Sequence, residues 1–155
     1  MTKRKYYFED FAPGKVWDIE GPVLTKQEII DFASRFDPQY FHVDEEAARR
    51  SPYGGLIASG WHTCSVGMRL MCDSYVNRSI SMGSPGVDNI RWLKPVRPGD
   101  TLVYSRTVLE ARPSGSRPEA GLVKSRWQAV NQRGELVMTM EGWGIFARRQ
   151  HAPGA

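Results

Sequence analysis

Residues 37–63 read DPQYFHVDEEAARRSPYGGLIASGWHT, and the rest of the chain is organised around this stretch. It sets a carboxylate, Asp37, and an imidazole, His42, five residues apart, then a glycine-rich turn, then a helix entry at Gly60. Five residues along an α-helix is about 140° of rotation, so on a helix the two side chains would diverge. Pro38 disfavours helical dihedrals at Asp37, which predicts a loop where both can converge on one small molecule. A partly buried carboxylate paired with an imidazole is a common acid–base unit. On spacing alone an alternative stands beside it: Asp37 caps a backbone turn and His42 is a satisfied, half-buried side chain.

Towards the N-terminus, Thr25 and Glu28 form a capping box, and Leu24 and Ile29 sit where a hydrophobic staple would. Ile29, Phe32, Ala33 and Phe36 then repeat at helical spacing, so a helix is expected from Thr25 to near Phe36. Before it, Pro13-Gly14 leads into a short strand over residues 15–19. Between the two halves of the central stretch, Asp44 followed by EEAARR predicts a short capped helix.

Towards the C-terminus, Gly60 opens the longest helix, expected to run to about Asn77, with Trp61, Cys64, Met68, Met71 and Tyr75 as a stripe facing a sheet. Gly67 within it would admit a closely approaching strand or second subunit. At its start, free N–H groups and the positive end of the helix dipole gather, so a carbonyl oxygen placed there would be polarised. Turn geometry alone is the other reading of Gly54, Gly55 and Gly60. Beyond Gly86 come four strand-like runs, VDNIRWL, TLVYSRTVLE, LVKSRWQAV and ELVMTMEGWGIFA, the last two joined by a hairpin at residues 131–134. The expectation is an α+β domain over residues 1–150, one short strand, then helices, then an antiparallel meander, giving a sheet of about five strands over one long central helix, and a disordered tail over 151–155.

The bulk properties narrow the function. One domain is expected from 155 residues, with 41% apolar and 25% charged residues. The net charge of +4 is spread along the chain, which disfavours a nucleic-acid-binding face. Cys64 and Cys72 would lie roughly 12 Å apart on one helix, too far for a disulfide. With no apolar run of membrane-spanning length and no signal-peptide core in the first ten residues, a cytoplasmic protein without membrane association is expected. Three histidines, His42, His62 and His151, give no metal-ligand cluster, and no phosphate-binding glycine motif implies a nucleotide cofactor. His62 reads as a packing or surface residue.

The run Asp37-Pro38-Gln39-Tyr40-Phe41-His42-Val43-Asp44-Glu45-Glu46-Ala47-Ala48 resembles the hydratase motif of the MaoC-like dehydratases, the hotdog-fold (R)-specific enoyl-CoA hydratases. The resemblance continues through GGLIASGWHT and IRWLKPVRPGD and covers nearly the whole chain. It implies a hotdog domain, a sheet wrapped around a long central helix. It implies Asp37 and His42 as the pair that activates water for addition to an enoyl thioester, with Gly60 N–H holding the thioester carbonyl. Two positions depart from the family's pattern: Gln39-Tyr40 replaces the usual Asn-Pro, and Ser59 replaces a frequent histidine before the helix glycine. The substrate would be a thioester of coenzyme A or acyl carrier protein, with no further cofactor. Gln39, Tyr40, Phe41, Ser59, Trp61 and Met68 would line its pocket. Arg91, Lys94 and Arg97, near a strand-to-loop joint, are exposed cations that could meet phosphates. The resemblance further implies a homodimer or dimer of dimers, with the site at the subunit interface. A thioesterase and a non-catalytic acyl-thioester-binding module are the rival readings.

Overall fold

A computed structural model describes residues 6–151; residues 1–5 and most of the expected tail, 152–155, lie outside the described residues. Strand β1 (Val16–Val23) is followed by helices α1 (Lys26–Phe36), α2 (Tyr40–Val43), α3 (Glu45–Arg49) and α4 (Gly60–Ser74), then by strands β2 (Gly86–Trp92), β3 (Thr101–Pro113), β4 (Ala120–Val130) and β5 (Leu136–Ala147). The five strands form one antiparallel sheet in the order β1-β3-β4-β5-β2, with α4 against it. The α+β arrangement expected from the sequence is the one observed. At the C-terminus, residue 151 closes a short 3-10 turn (Arg149–His151).

Local signals explain the element ends. Thr25 accepts from the Glu28 N–H while the Glu28 carboxylate accepts from the Thr25 N–H, the reciprocal bonding of a capping box. Leu24 and Ile29 are both buried beside it. Asp44 caps α3 by accepting from the Ala47 N–H. Gly67 lets α4 lie against the sheet: a Cβ there would sit 2.8 Å from the Tyr104 ring, and the Tyr104 hydroxyl donates to the Thr63 carbonyl at 2.7 Å. Leu24, Ile29, Leu102, Tyr104, Val137 and Met138 form the core beside this contact, and a second cluster gathers around Phe11, Tyr75 and Phe146.

Four expectations are corrected. The first strand runs on through Gly21-Pro22 to Val23, because it is an edge strand paired only with β3, where a missing N–H costs no ladder bond. The four later strands are not a simple meander: β2 crosses to the far edge and pairs with β5, Gly86 opposite Trp143 and Trp92 opposite Met138. The long helix stops at Ser74 and gives way to a 3-10 turn (Val76–Arg78). Its buried face carries His62, Thr63, Gly67 and Met71, whereas Trp61 and Met68 are about half exposed.

Candidate active site

Asp37 is the residue that ends α1, with φ −154° and ψ 66°, and its N–H still reaches back to the Ala33 carbonyl. His42 sits on the single helical turn α2 rather than in the expected loop. Since Asp37 lies outside that turn, the 140° helical separation does not apply. His42 Nε2 lies 3.3 Å from Asp37 Oδ2. The other ring nitrogen, Nδ1, is 2.7 Å from the Ile57 carbonyl oxygen. A carbonyl only accepts, so Nδ1 carries a proton and Nε2 is the ring nitrogen turned to Asp37.

The backbone holding this pair is tied at several points. Ile57 N–H donates to the Phe41 carbonyl, and Ala58 N–H donates to the Val96 carbonyl. Arg97 reaches the Tyr53 carbonyl at 2.5 Å, fixing the glycine-rich turn against the loop after β2. Ser59, fully buried, is the N-cap of α4: its Oγ accepts from Trp61 N–H and donates to Asp37 Oδ2 at 2.7 Å. Gln39 donates to Asp37 Oδ1 at 2.8 Å. Burial, the largest influence on this carboxyl, pushes its pKa up. The donors Ser59 and Gln39, with the charge of His42, outweigh it and hold Asp37 below the ordinary aspartate value. Asp37 is therefore ionised at neutral pH.

A cavity of about 530 Å³ opens over the pair. That size lies within the usual range for small-molecule sites. Asp37, Gln39, Phe41, His42, Gly60 and Trp61 all line it. Gly60 is the first residue of α4, so its N–H has no partner within the helix. The expected site residues thus converge, with three exceptions. Ser59 lies beneath Asp37 and acts on it. Tyr40 packs edge-on against Phe41, ring centroids 5.0 Å apart, half exposed outside the lining. Met68 lines a different cavity, further along α4.

Trp92, Leu93, Pro95 and Val96 were not foreseen at the site, and Lys94 was considered only as a cation for phosphates. Trp92, Leu93, Lys94, Pro95 and Val96 form the facing wall, because β2 ends at the far edge of the sheet and its following loop returns over the start of α4. Trp92 lies so close to Gly60 that an added Cβ would be 2.3 Å from its ring, and its ring meets Trp61 edge-on at 5.1 Å. Glycine at 60 therefore leaves room for the close approach of the Trp92 ring, and no positive φ calls for it. The sequence signal was present as WLKPVRPGD, but only the strand pairing says where it lands. Of the three cations considered for phosphates, Lys94 lines the cavity while pairing with Glu135, Arg97 is engaged with Tyr53, and Arg91 donates to the neighbouring Ile90 carbonyl. His62 is a packing residue, buried and stacked on Phe32 at 4.7 Å. No group of metal-ligating side chains occurs among the described residues.

Residues 10–125 match the MaoC like domain. The chain belongs to the MaoC-like domain family. The fold is correspondingly the hotdog fold, known also as a double copy in a Mycobacterium tuberculosis protein. A MaoC-like dehydratase from Rhodospirillum rubrum superposes with a TM-score of 0.85 at 41% identity, over 94% of this chain and 99% of that one. The uncharacterised protein YdeM of Bacillus subtilis is 31% identical, over 81% of this chain and 87% of its own. The 3-hydroxyacyl-thioester dehydratase Z of Mycobacterium tuberculosis is 31% identical over 59% of this chain and 62% of its own length. In this MaoC-like domain the Asp37–His42 contact lies within the matched residues.

Proposed function

We propose that the chain is an enoyl-thioester hydratase, adding water reversibly to a trans-2-enoyl thioester to give the (R)-3-hydroxyacyl thioester. The observation that carries this reading is the 3.3 Å contact between Asp37 and His42, facing the same cavity as the Gly60 N–H. The names of the dehydratase relatives support the same reaction class.

Water in the cavity donates a proton to the ionised Asp37 as its oxygen bonds the β-carbon. The π electrons of the double bond move onto the thioester oxygen, held by the Gly60 N–H at the positive end of α4. His42 Nε2–H then delivers a proton to the α-carbon, and the proton taken by Asp37 passes across the 3.3 Å contact to restore it. The water's two hydrogens and its oxygen are thereby all accounted for. The reaction is redox-neutral, so the coenzyme A or acyl-carrier thioester is substrate and no further cofactor is invoked. Trp61, Trp92 and Phe41 form the apolar wall along which the acyl chain runs.

A second copy of the chain belongs to this proposal. Among the described residues the edge strand β2 has no neighbour on its outer side, and Trp61, Met68, Trp92 and Leu93 are each about half exposed near it. Pairing of two subunits would cover that edge and roof the cavity.

The test is a panel of short, medium and branched enoyl-CoA thioesters, following loss of the conjugated-enoyl absorbance alongside release of free thiol. Absorbance loss without thiol is the expected result. Thiol release would make the chain a thioesterase, and binding without either signal across the whole panel would make it an acyl-thioester-binding module.

A further inference from the structure

Arg106, on β3, is only 2% exposed, which is unusual for a guanidinium because an arginine keeps its charge at any physiological pH. No carboxylate lies within ion-pairing distance of it among the described residues. Its Nε donates to Ser125 Oγ at 3.0 Å, and its Nη1 is buried with no hydrogen-bond partner. The guanidinium carbon sits 4.1 Å from the Tyr75 ring centroid, 4.7 Å from that of Phe11 and 5.0 Å from that of Trp17. Three aromatic faces offset part of the cost of burying the charge, but they supply no acceptor for the free N–H.

The same residue lines a second cavity of about 240 Å³, between the C-terminal half of α4 and the sheet. Its walls include Met68, Met71, Val123, Met140, Trp143 and Phe146, with Ser81 and Ser84 at one side. It shares no lining residue with the Asp37–His42 cavity, and lies about two helical turns further along α4, a rise of roughly 12 Å between Thr63 and Met71. A largely apolar cavity lined by one guanidinium that has no ion-pair partner is complementary to a molecule with an apolar body and one planar anionic head. A carboxylate matches the fork of guanidinium donors. At about 30 Å³ per water-sized group, 240 Å³ holds roughly eight such groups, the bulk of a medium-chain acid.

We propose that this cavity is a binding site for a free medium-chain carboxylate, with Arg106 as its anchor. The site stands apart from the proposed hydration and does not depend on it, since its readout is binding.

The experiment is isothermal titration of the full chain with octanoate and with octanol, which has the same tail without the charge. Octanoate is expected to bind saturably and at least about tenfold more tightly than octanol, the margin of a charge-assisted hydrogen bond. Arg106→Met should abolish that margin and Arg106→Lys should keep part of it. Should the Arg106 variants fail to fold, Val87→Trp, at a half-exposed position on the cavity wall, should by itself remove octanoate binding. Equal binding of octanoate and octanol, no binding of either, or unchanged octanoate binding in Val87→Trp would each overturn the assignment. The half-thioester of suberic acid with coenzyme A separates a free acid from a tethered one, and its binding where octanoate does not would overturn the free-acid assignment.

Discussion

Ser59→Ala removes a hydroxyl that no substrate needs to touch, yet it should move the pH dependence of the reaction. Ser59 Oγ donates to Asp37 Oδ2 at 2.7 Å and is wholly buried, so solvent cannot replace the lost donor at the same place. A hydrogen bond to a charged group contributes about 1.5–3 kcal/mol, and one pKa unit corresponds to about 1.4 kcal/mol. The Asp37 carboxyl, now held below the ordinary range, should therefore rise towards it. The sign follows from which form works: the ionised carboxylate is present above its pKa and is lost as pH falls through it. The acidic limb of the kcat/KM profile should move to higher pH, while the plateau above it stays close to wild type. The same substitution removes the N-cap of α4, so the unfolding free energy from chemical denaturation should fall by about 1 kcal/mol. Gln39→Met, which removes the second donor at the more exposed Oδ1, should move the limb in the same direction and less far. An acidic limb at the wild-type pH in Ser59→Ala would refute the reasoning, whatever happened to stability.

Two further substitutions test how the site is positioned. Gly67→Ala gains about 1 kcal/mol of helix propensity but drives a Cβ to 2.8 Å from the ring of Tyr104, which is buried and tethered to the Thr63 carbonyl and cannot swing aside. Overpacking of this kind costs about 1–3 kcal/mol, so urea denaturation should show net destabilisation, and a stabilised variant would contradict the packing described. Gly60→Ala meets the Trp92 ring at 2.3 Å and should lose about 1–3 kcal/mol. Adding Trp92→Ala to the same chain should recover most of that loss, and failure to recover would show that the glycine is needed for another reason.

Much of this architecture was legible in the residues because its causes are local. Thr25 with Glu28, Asp44 ahead of EEAARR, and Pro38 after Asp37 each fix a boundary through bonds or sterics within a few positions. The strands over residues 86–147 carry their own alternation and turns. What escaped depends on partners far along the chain. The crossing of β2 to the edge beside β5 cannot be read from VDNIRWL, and with it went the placing of residues 92–96 over Gly60. A periodic stripe on α4 showed that the helix has an apolar face, but Trp61 and Met68 lie outside the face that meets the sheet, and Met68 serves a different cavity. Ser59 was expected among the residues lining the pocket; it lies beneath it, because the turn from Ile57 to Gly60 brings its hydroxyl to Asp37. Arg106 gave no signal at all, since an arginine in a strand reads as surface until its burial is seen.

The central claim is that Asp37 takes the proton of the water that adds to an enoyl thioester while His42, in contact with it, delivers one to the α-carbon. Its most direct test is the rate of hydration, under single-turnover conditions, by the wild-type chain and by Asp37→Asn, a substitution that keeps the shape of the side chain and its place beside Ser59. Loss of a positioned acid–base group typically costs about 10²- to 10⁴-fold, and the account predicts a fall of that size in rate with the variant still folded and still binding the thioester. Full hydration by folded Asp37→Asn would contradict it.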